Sequence, residues 1–291
     1  MEQTKGYLRV KGKILFLDKA TNRGNSVKNN LSFAIKTSSD NTVPVQVGDW
    51  INSKLNVKVK NSEMEKALEY PEQDAVSSIQ DLFKDGDSVY VNCRVEVDTY
   101  YKKPIYIVSA IYSEKEEINF DSDTFEEVNE LVMSIIISEK PTKESVQAGI
   151  TNYAGDMINI DFKLNDEVIS QFFTENVKVG DLVPCTITVR HTPNYIDDEA
   201  TSTSTTTRTT LKGKTIGGNT NSGSKYRKYD GYIDYLEIAD VDNTKITPKK
   251  YTRAEITEAI EDTETKLERI ALQSENKKNS ASSDEDDDLP F

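Results

Sequence analysis

A four-residue signature occurs twice in the chain. Gly86-Asp87-Ser88-Val89 recurs as Gly180-Asp181-Leu182-Val183, and each copy opens a short run that holds a cysteine, Cys93 in one and Cys185 in the other. A Gly-Asp corner followed by alternating apolar residues reads as a turn feeding a half-buried strand. The first copy continues to Val97 as the clearest strand in the sequence, passes through Thr99-Tyr-Tyr-Lys-Lys-Pro104, and returns as Ile105 to Tyr112. In the second copy, Gly231 to Ile238 stands where Ile105 to Tyr112 stood. A tandem duplication is the economical account; the alternative is two unrelated β domains that share a common turn.

Upstream of the first signature, Tyr7–Leu17, Leu31–Lys36 and Leu55–Lys60 read as strands, and Ser62–Glu65 with Pro71–Phe83 as a helical interlude. Three strands, a helix and a closing hairpin is the order of an OB-fold barrel. Leu131–Ile137 and Met157–Phe162 supply earlier strands for the second half. The expected fold is mainly β: two tandem OB-fold-like barrels, a C-terminal helix and a disordered acidic tail. The expected divisions are 1–115 for the first barrel, 116–127 for an acidic linker, 128–248 for the second barrel, 249–272 for the helix and 273–291 for the tail. The second barrel carries a long basic Ser/Thr/Gly loop over 192–228. Thr252-Arg-Ala-Glu255 fits a capping box, and Ile256, Ile260, Leu267 and Ile270 fall roughly on one helical face.

Several function classes find no residues to carry them. Two cysteines and one histidine make neither a disulfide framework nor an unaided zinc site. Gly213-Lys214-Thr215 lacks the upstream glycine of a phosphate-binding loop, because Arg208 stands there. His191 beside Pro193 reads as a surface residue. The chain is expected to be no enzyme, to use no cofactor or metal, and to be soluble in the cytoplasm of a bacterial cell or a phage-infected host.

Charge points elsewhere. The net charge is −14, yet residues 1–60 hold 11 Lys/Arg against 4 Asp/Glu, and 201–250 hold 9 against 5. Local field rather than total charge decides where a polyanion docks. Single-stranded nucleic acid is held by basic grooves with aromatic platforms, because every base has a π-face and every nucleotide a phosphate. In the first half Trp50, Lys54, Lys58, Lys60, Tyr100, Tyr101, Lys102, Lys103 and Tyr106 supply that mixture. In the second half it comes from Arg208, Lys212, Lys214, Lys225, Tyr226, Arg227, Lys228 and Tyr229, with Tyr232 close by.

The chain ends on Asp284-Glu285-Asp286-Asp287-Asp288-Leu289-Pro290-Phe291. An acidic run closing on Leu-Pro-Phe at the terminus resembles the C-terminal tip of bacterial and phage single-stranded DNA-binding proteins. The resemblance covers only the last several residues and implies non-enzymatic binding and protection of single-stranded DNA in replication, recombination or repair. It also implies that Asp286, Asp287, Asp288, Leu289, Pro290 and Phe291 dock partner enzymes, with the Phe ring in an apolar pocket and a basic group on the terminal carboxylate. The chain departs from the usual bacterial form, which has one barrel and a long Gly/Gln/Pro-rich linker, and so points to a divergent phage-type member. The competing expectation is a recruitment or decoy protein whose tail occupies such docking sites without DNA binding.

Overall fold

The computed structural model describes residues 1–17, 31–48, 55–197, 208–209, 215–216 and 227–281. The first half contains β1 (Gly6–Leu15), β2 (Leu31–Lys36), β3 (Thr42–Val47), β4 (Asn56–Lys60), β5 (Leu68–Pro71), α1 (Glu72–Leu82), β6 (Ser88–Asp98) and β7 (Lys103–Ser113). Five of these strands close into a barrel. β1 pairs with β2, β2 with β3 and β6 with both β7 and β1, all antiparallel, while β3 meets β7 in parallel. Inward positions follow the period of two: Leu8, Val10 and Ile14 on β1, and Val89, Val91 and Cys93 on β6, are at most 1% exposed. Burying each such Val, Leu or Ile contributes about 1.5–3 kcal/mol.

Gly12 explains how one strand serves so many neighbours. The same edge of β1 pairs with β2 over Lys13–Leu15 and with a strand of the second half over Gly6–Val10. A Cβ at Gly12 would lie 2.0 Å from the Lys36 carbonyl oxygen, so only glycine lets the two backbones approach at this change of partner.

The second half follows with β8 (Asn129–Ile137), β9 (Ser145–Thr151), β10 (Met157–Lys163), α2 (Glu167–Asn176), β11 (Leu182–Asp197), β12 (Arg208–Thr209), β13 (Thr215–Ile216) and β14 (Arg227–Val241). Here β8 pairs with β9, β9 with β10, β11 with β14 and β11 with β8, antiparallel, while β10 meets β14 in parallel. The ladder between β1 and β8 joins both halves into one sheet, and one hydrophobic cluster runs through them.

The final element is α3 (Arg253–Ala281). Its capping box forms as read: the Thr252 N–H donates to Glu255 Oε2 (2.7 Å), and the Glu255 N–H donates to Thr252 Oγ1 (3.3 Å). Ile256 and Ile260 pack with Ile136 and Met157, and the Met157 N–H donates to Thr263 Oγ1 (2.9 Å). The helix runs nine residues past the expected end at 272, and Ile270 is 58% exposed, so the apolar face stays against the body only through its first turns.

Other expectations shift. The third strand expected at Leu55–Lys60 is the fourth, because Thr42–Val47 is also a strand. Ser62–Glu65 is not helical: the Asn61 side chain accepts the Glu63 N–H (3.2 Å), a local bond that competes with helix formation. The irregular stretch expected from 192 starts later, since β11 stays paired to β14 as far as Asp197. Finally, the acidic stretch after β7 does not hang free. Ile118 is 6% exposed, its N–H donates to Ser88 Oγ (2.9 Å), and Phe120 meets Phe125 edge to face.

Candidate nucleic-acid interface

A polar knot sets how the halves face each other. Asn41, in the β2–β3 turn and fully buried, donates to the Val189 carbonyl (3.1 Å) and accepts the His191 N–H (2.9 Å). Glu127 accepts from Thr37 Oγ1 (2.6 Å) and from the Arg190 guanidinium (2.9 Å), while Arg190 also reaches Glu237 (3.4 Å). Partial burial pulls the Arg190 guanidinium down, and Glu127 with Glu237 more than reverses that, leaving it above its ordinary value. Buried polar groups paired this fully lock one arrangement of the strands that carry them.

Beside the knot lies a cleft of about 730 Å³ between the halves. One wall is the outer face of β2 and β3, with Ser32, Pro44 and Gln46, continued by the β6–β7 connection from Asp98 to Lys103. The other wall comes from β10, β11 and β14, with Asp161, Lys163, Arg190, His191 and Asp234.

The β6–β7 connection carries two exposed rings, of which Tyr101 lines the cleft and Tyr100 stands beside it. Tyr100 and Tyr101 are 67% and 69% exposed and stand edge to face, centroids 4.9 Å apart. Lys102 adopts φ +49°, which turns the chain, and the Tyr101 N–H donates to Asp98 Oδ1 (3.0 Å) to close the loop. The Lys103 ammonium sits 5.8 Å from the Tyr101 ring centroid. Lys102 reaches out to Glu264 of α3 (2.8 Å). Tyr106 differs from its neighbours: it is 5% exposed, and burial pushes its phenol up, so it walls the cleft from inside the core instead of standing out as a platform.

The other sequence candidates scatter. Lys58 pairs with Glu69 (3.4 Å) and, with Lys60, lies opposite Ala110 to Tyr112, about 23–30 Å along β7 from the hairpin at about 3.3 Å per residue. Neither lysine lines the cleft. Arg227, Lys228 and Tyr229 fall on β14, paired with Asp197, Ile196 and Tyr195, and Arg208 falls on β12. Trp50, Lys54, Lys212, Lys214, Lys225, Tyr226 and the tip from Asp286 to Phe291 lie outside the described residues.

Among the described residues, the cations of β1 are not an open field of charge. Arg9 pairs with Glu130 (2.7 Å), Lys11 with Glu114 (3.2 Å) and Lys13 with Glu117 (2.7 Å), so acids from the following stretch fold back onto β1. What sequence reading missed is a cluster around His191. Its ring stacks on Tyr232 at 4.3 Å and 13°, and Nδ1 meets Asp234 Oδ1 directly across the ladder. Neither Cys93 nor Cys185 contributes, because burial pushes both thiols up and keeps them neutral. Among the described residues no cluster of His, Cys, Asp and Glu could hold a metal, and no helix is long and apolar enough to cross a membrane.

A family model described as YorF matches residues 7–278, from β1 into α3 and across both walls of the cleft. No curated protein matches the chain. On the extent of that match, the chain belongs to the YorF family.

Proposed function

We propose that the protein is a tandem of two OB-like barrels that binds and protects single-stranded DNA without catalysis, in replication, recombination or repair. The second half supports the tandem reading because its strands pair in the same order as the closed barrel of the first, parallel contact included. The observation that carries the binding reading is the Tyr100–Lys103 hairpin standing over a cleft walled by β2 and β3. In an OB barrel that strand face and the loop between the last two strands hold oligonucleotides. The tip from Asp286 to Phe291 recruits partner enzymes, its acids steering the encounter and its Phe and carboxylate docking.

The test is binding to dT oligomers of graded length, titrated with salt. Affinity should fall with a log–log slope of about −0.7 for every phosphate contacted. A salt-insensitive affinity refutes the reading. A second reading, a decoy that uses its tail and binds no DNA, draws support from the cations already held by acids, Lys102 by Glu264 and Arg190 by Glu127; the same titration would then show no binding. Truncating Leu289–Phe291 should abolish capture of a tail-docking enzyme in either case, and unchanged capture would refute the tip assignment.

A further inference from the structure

We infer that the cleft takes bases inward and prefers those bearing exocyclic amines, above all guanine and cytosine, over thymine. This deepens the single-strand reading and rests on it.

Carboxylates interrupt the lining as a site for phosphate. Three carboxylates face the cleft, Asp98, Asp161 and Asp234. Four cations share the lining: Lys102 is held by Glu264 (2.8 Å) and Arg190 by Glu127 (2.9 Å), Lys103 stands over the Tyr101 ring, and Lys163 makes no ion pair among the described residues. A strand entering phosphate-first would set its charge against carboxylates in a partly desolvated gap, where like-charge repulsion is least screened. The apolar parts of the wall that reach solvent, Pro44, Tyr101, Pro104, Ile105 and Ile160, suit flat rings, while Phe33, Val45, Val189 and Leu236 stay buried behind them. Bases therefore point in, and the backbone stays at the rim beside Lys102, Lys103 and Lys163.

The carboxylates then become readers. Each already takes one donor on Oδ1: the Tyr101 N–H on Asp98 (3.0 Å), the Gln147 amide on Asp161 (3.1 Å), and His191 Nδ1 on Asp234. Among the described residues no donor reaches Oδ2 of any of the three. An ionised carboxylate can only accept, so it rewards base edges that donate. Guanine offers adjacent N1–H and N2–H groups, and cytosine and adenine offer an amine. Thymine offers one N–H flanked by two carbonyl oxygens that a carboxylate repels. Unstacked single strands expose these edges, and acidic side chains read the cytosine amine in this way.

The experiment compares a dT oligomer with the same length carrying a central dC run, a single central dG, or deoxyinosine in place of that dG. The dC and dG oligomers should bind tighter than all-dT by roughly five- to tenfold, and deoxyinosine, lacking the N2 amine, should lose part of the dG gain. Asp98→Asn, Asp161→Asn and Asp234→Asn should each be tested for a lower dC-to-dT ratio, since an amide can also donate to thymine. All-dT binding as tightly as dC and dG, with the expected salt slope, overturns the inference and leaves the single-strand reading standing. A preference that survives all three Asn substitutions also overturns it. No binding to any oligomer refutes the single-strand reading itself.

Discussion

The two halves share a corner and differ in what surrounds it. At the first corner the Lys84 N–H donates to Asp87 Oδ2 (3.0 Å), the Gly86 N–H to the Ile14 carbonyl (2.9 Å), and the Ile14 N–H to the Asp87 carbonyl (3.0 Å). At the second, Lys178 N–H meets Asp181 Oδ2 (2.8 Å), Gly180 N–H the Ile137 carbonyl (2.9 Å), and Ile137 N–H the Asp181 carbonyl (3.0 Å). Both glycines have φ +91°. Around Gly86 there is open space, whereas Gly180 lies under the lead into α3, with the Tyr251 N–H donating to its carbonyl (3.0 Å). The corner is framework, kept in both halves; the halves diverge in what is laid over it and in the hairpin that follows it.

The largest effect should come from the two glycines. Gly86→Ala places a side chain at positive φ, a cost of about 1–2 kcal/mol. Gly180→Ala adds a Cβ 2.0 Å from the Tyr251 carbonyl oxygen, so total destabilisation should reach about 2–5 kcal/mol. Urea unfolding of both variants measures the gap; equal losses would mean the α3 lead gives way freely and the comparison fails.

The hairpins offer the next test. Tyr100→Ala with Tyr101→Ala should weaken single-strand binding by about 1–3 kcal/mol for each ring that stacks a base. Tyr232→Ala, whose ring stacks on His191 of the opposite wall, should cost about 1 kcal/mol, the low end of that range, because His191 already covers one face of its ring. A larger loss at Tyr232 would shift the main platform to the second half.

The smallest effect concerns α3, whose apolar face packs on Ile136 and Met157 of the second half. Lys266 holds the Asp156 carboxyl below its ordinary value of 3.8, with Asn152 adding a second donor. A depressed folded value means the contact stabilises above the unfolded value and is lost as pH falls below it. Protection of α3 amides against hydrogen exchange should hold from neutral pH to about 4 and drop beneath, ahead of β6 amides. Parallel loss in both would show that α3 is not separately anchored.

Most of the framework was legible because it is local. The Gly-Asp corners, the β6–β7 hairpin and the Thr252–Glu255 box each lie within a few residues. Thr42–Val47 escaped because Pro44 argues against a strand; a proline is tolerated on a strand whose pairing with β7 is confined to Gln46. Ser145–Thr151 hides behind Gly149, whose missing side chain makes room for Met157 Cε. α2 reads poorly because Val168, Ile169, Phe172 and Phe173 favour strands, and the Asp166 cap on Val168 and Ile169 N–H groups outweighs them. The cleft was the least legible feature. His191, Arg190 and Asp234 meet Asn41, Glu127 and Asp98 only through contacts of high sequence separation, and the folding back of acids onto Lys11 and Lys13 depends on the same register.

The double pairing of β1 also sets an order of events during synthesis. Its inner partners are complete once β7 has left the ribosome, so the first barrel can close while the second half is still being made. Until β8 emerges, Gly6 to Val10 waits with one edge bare, a template for any extended chain nearby. The acids from Glu114 to Glu127 are translated in that interval. Glu114 and Glu117 settle on Lys11 and Lys13, just past the waiting segment, whereas Glu130, the partner of Arg9, arrives only with β8 itself.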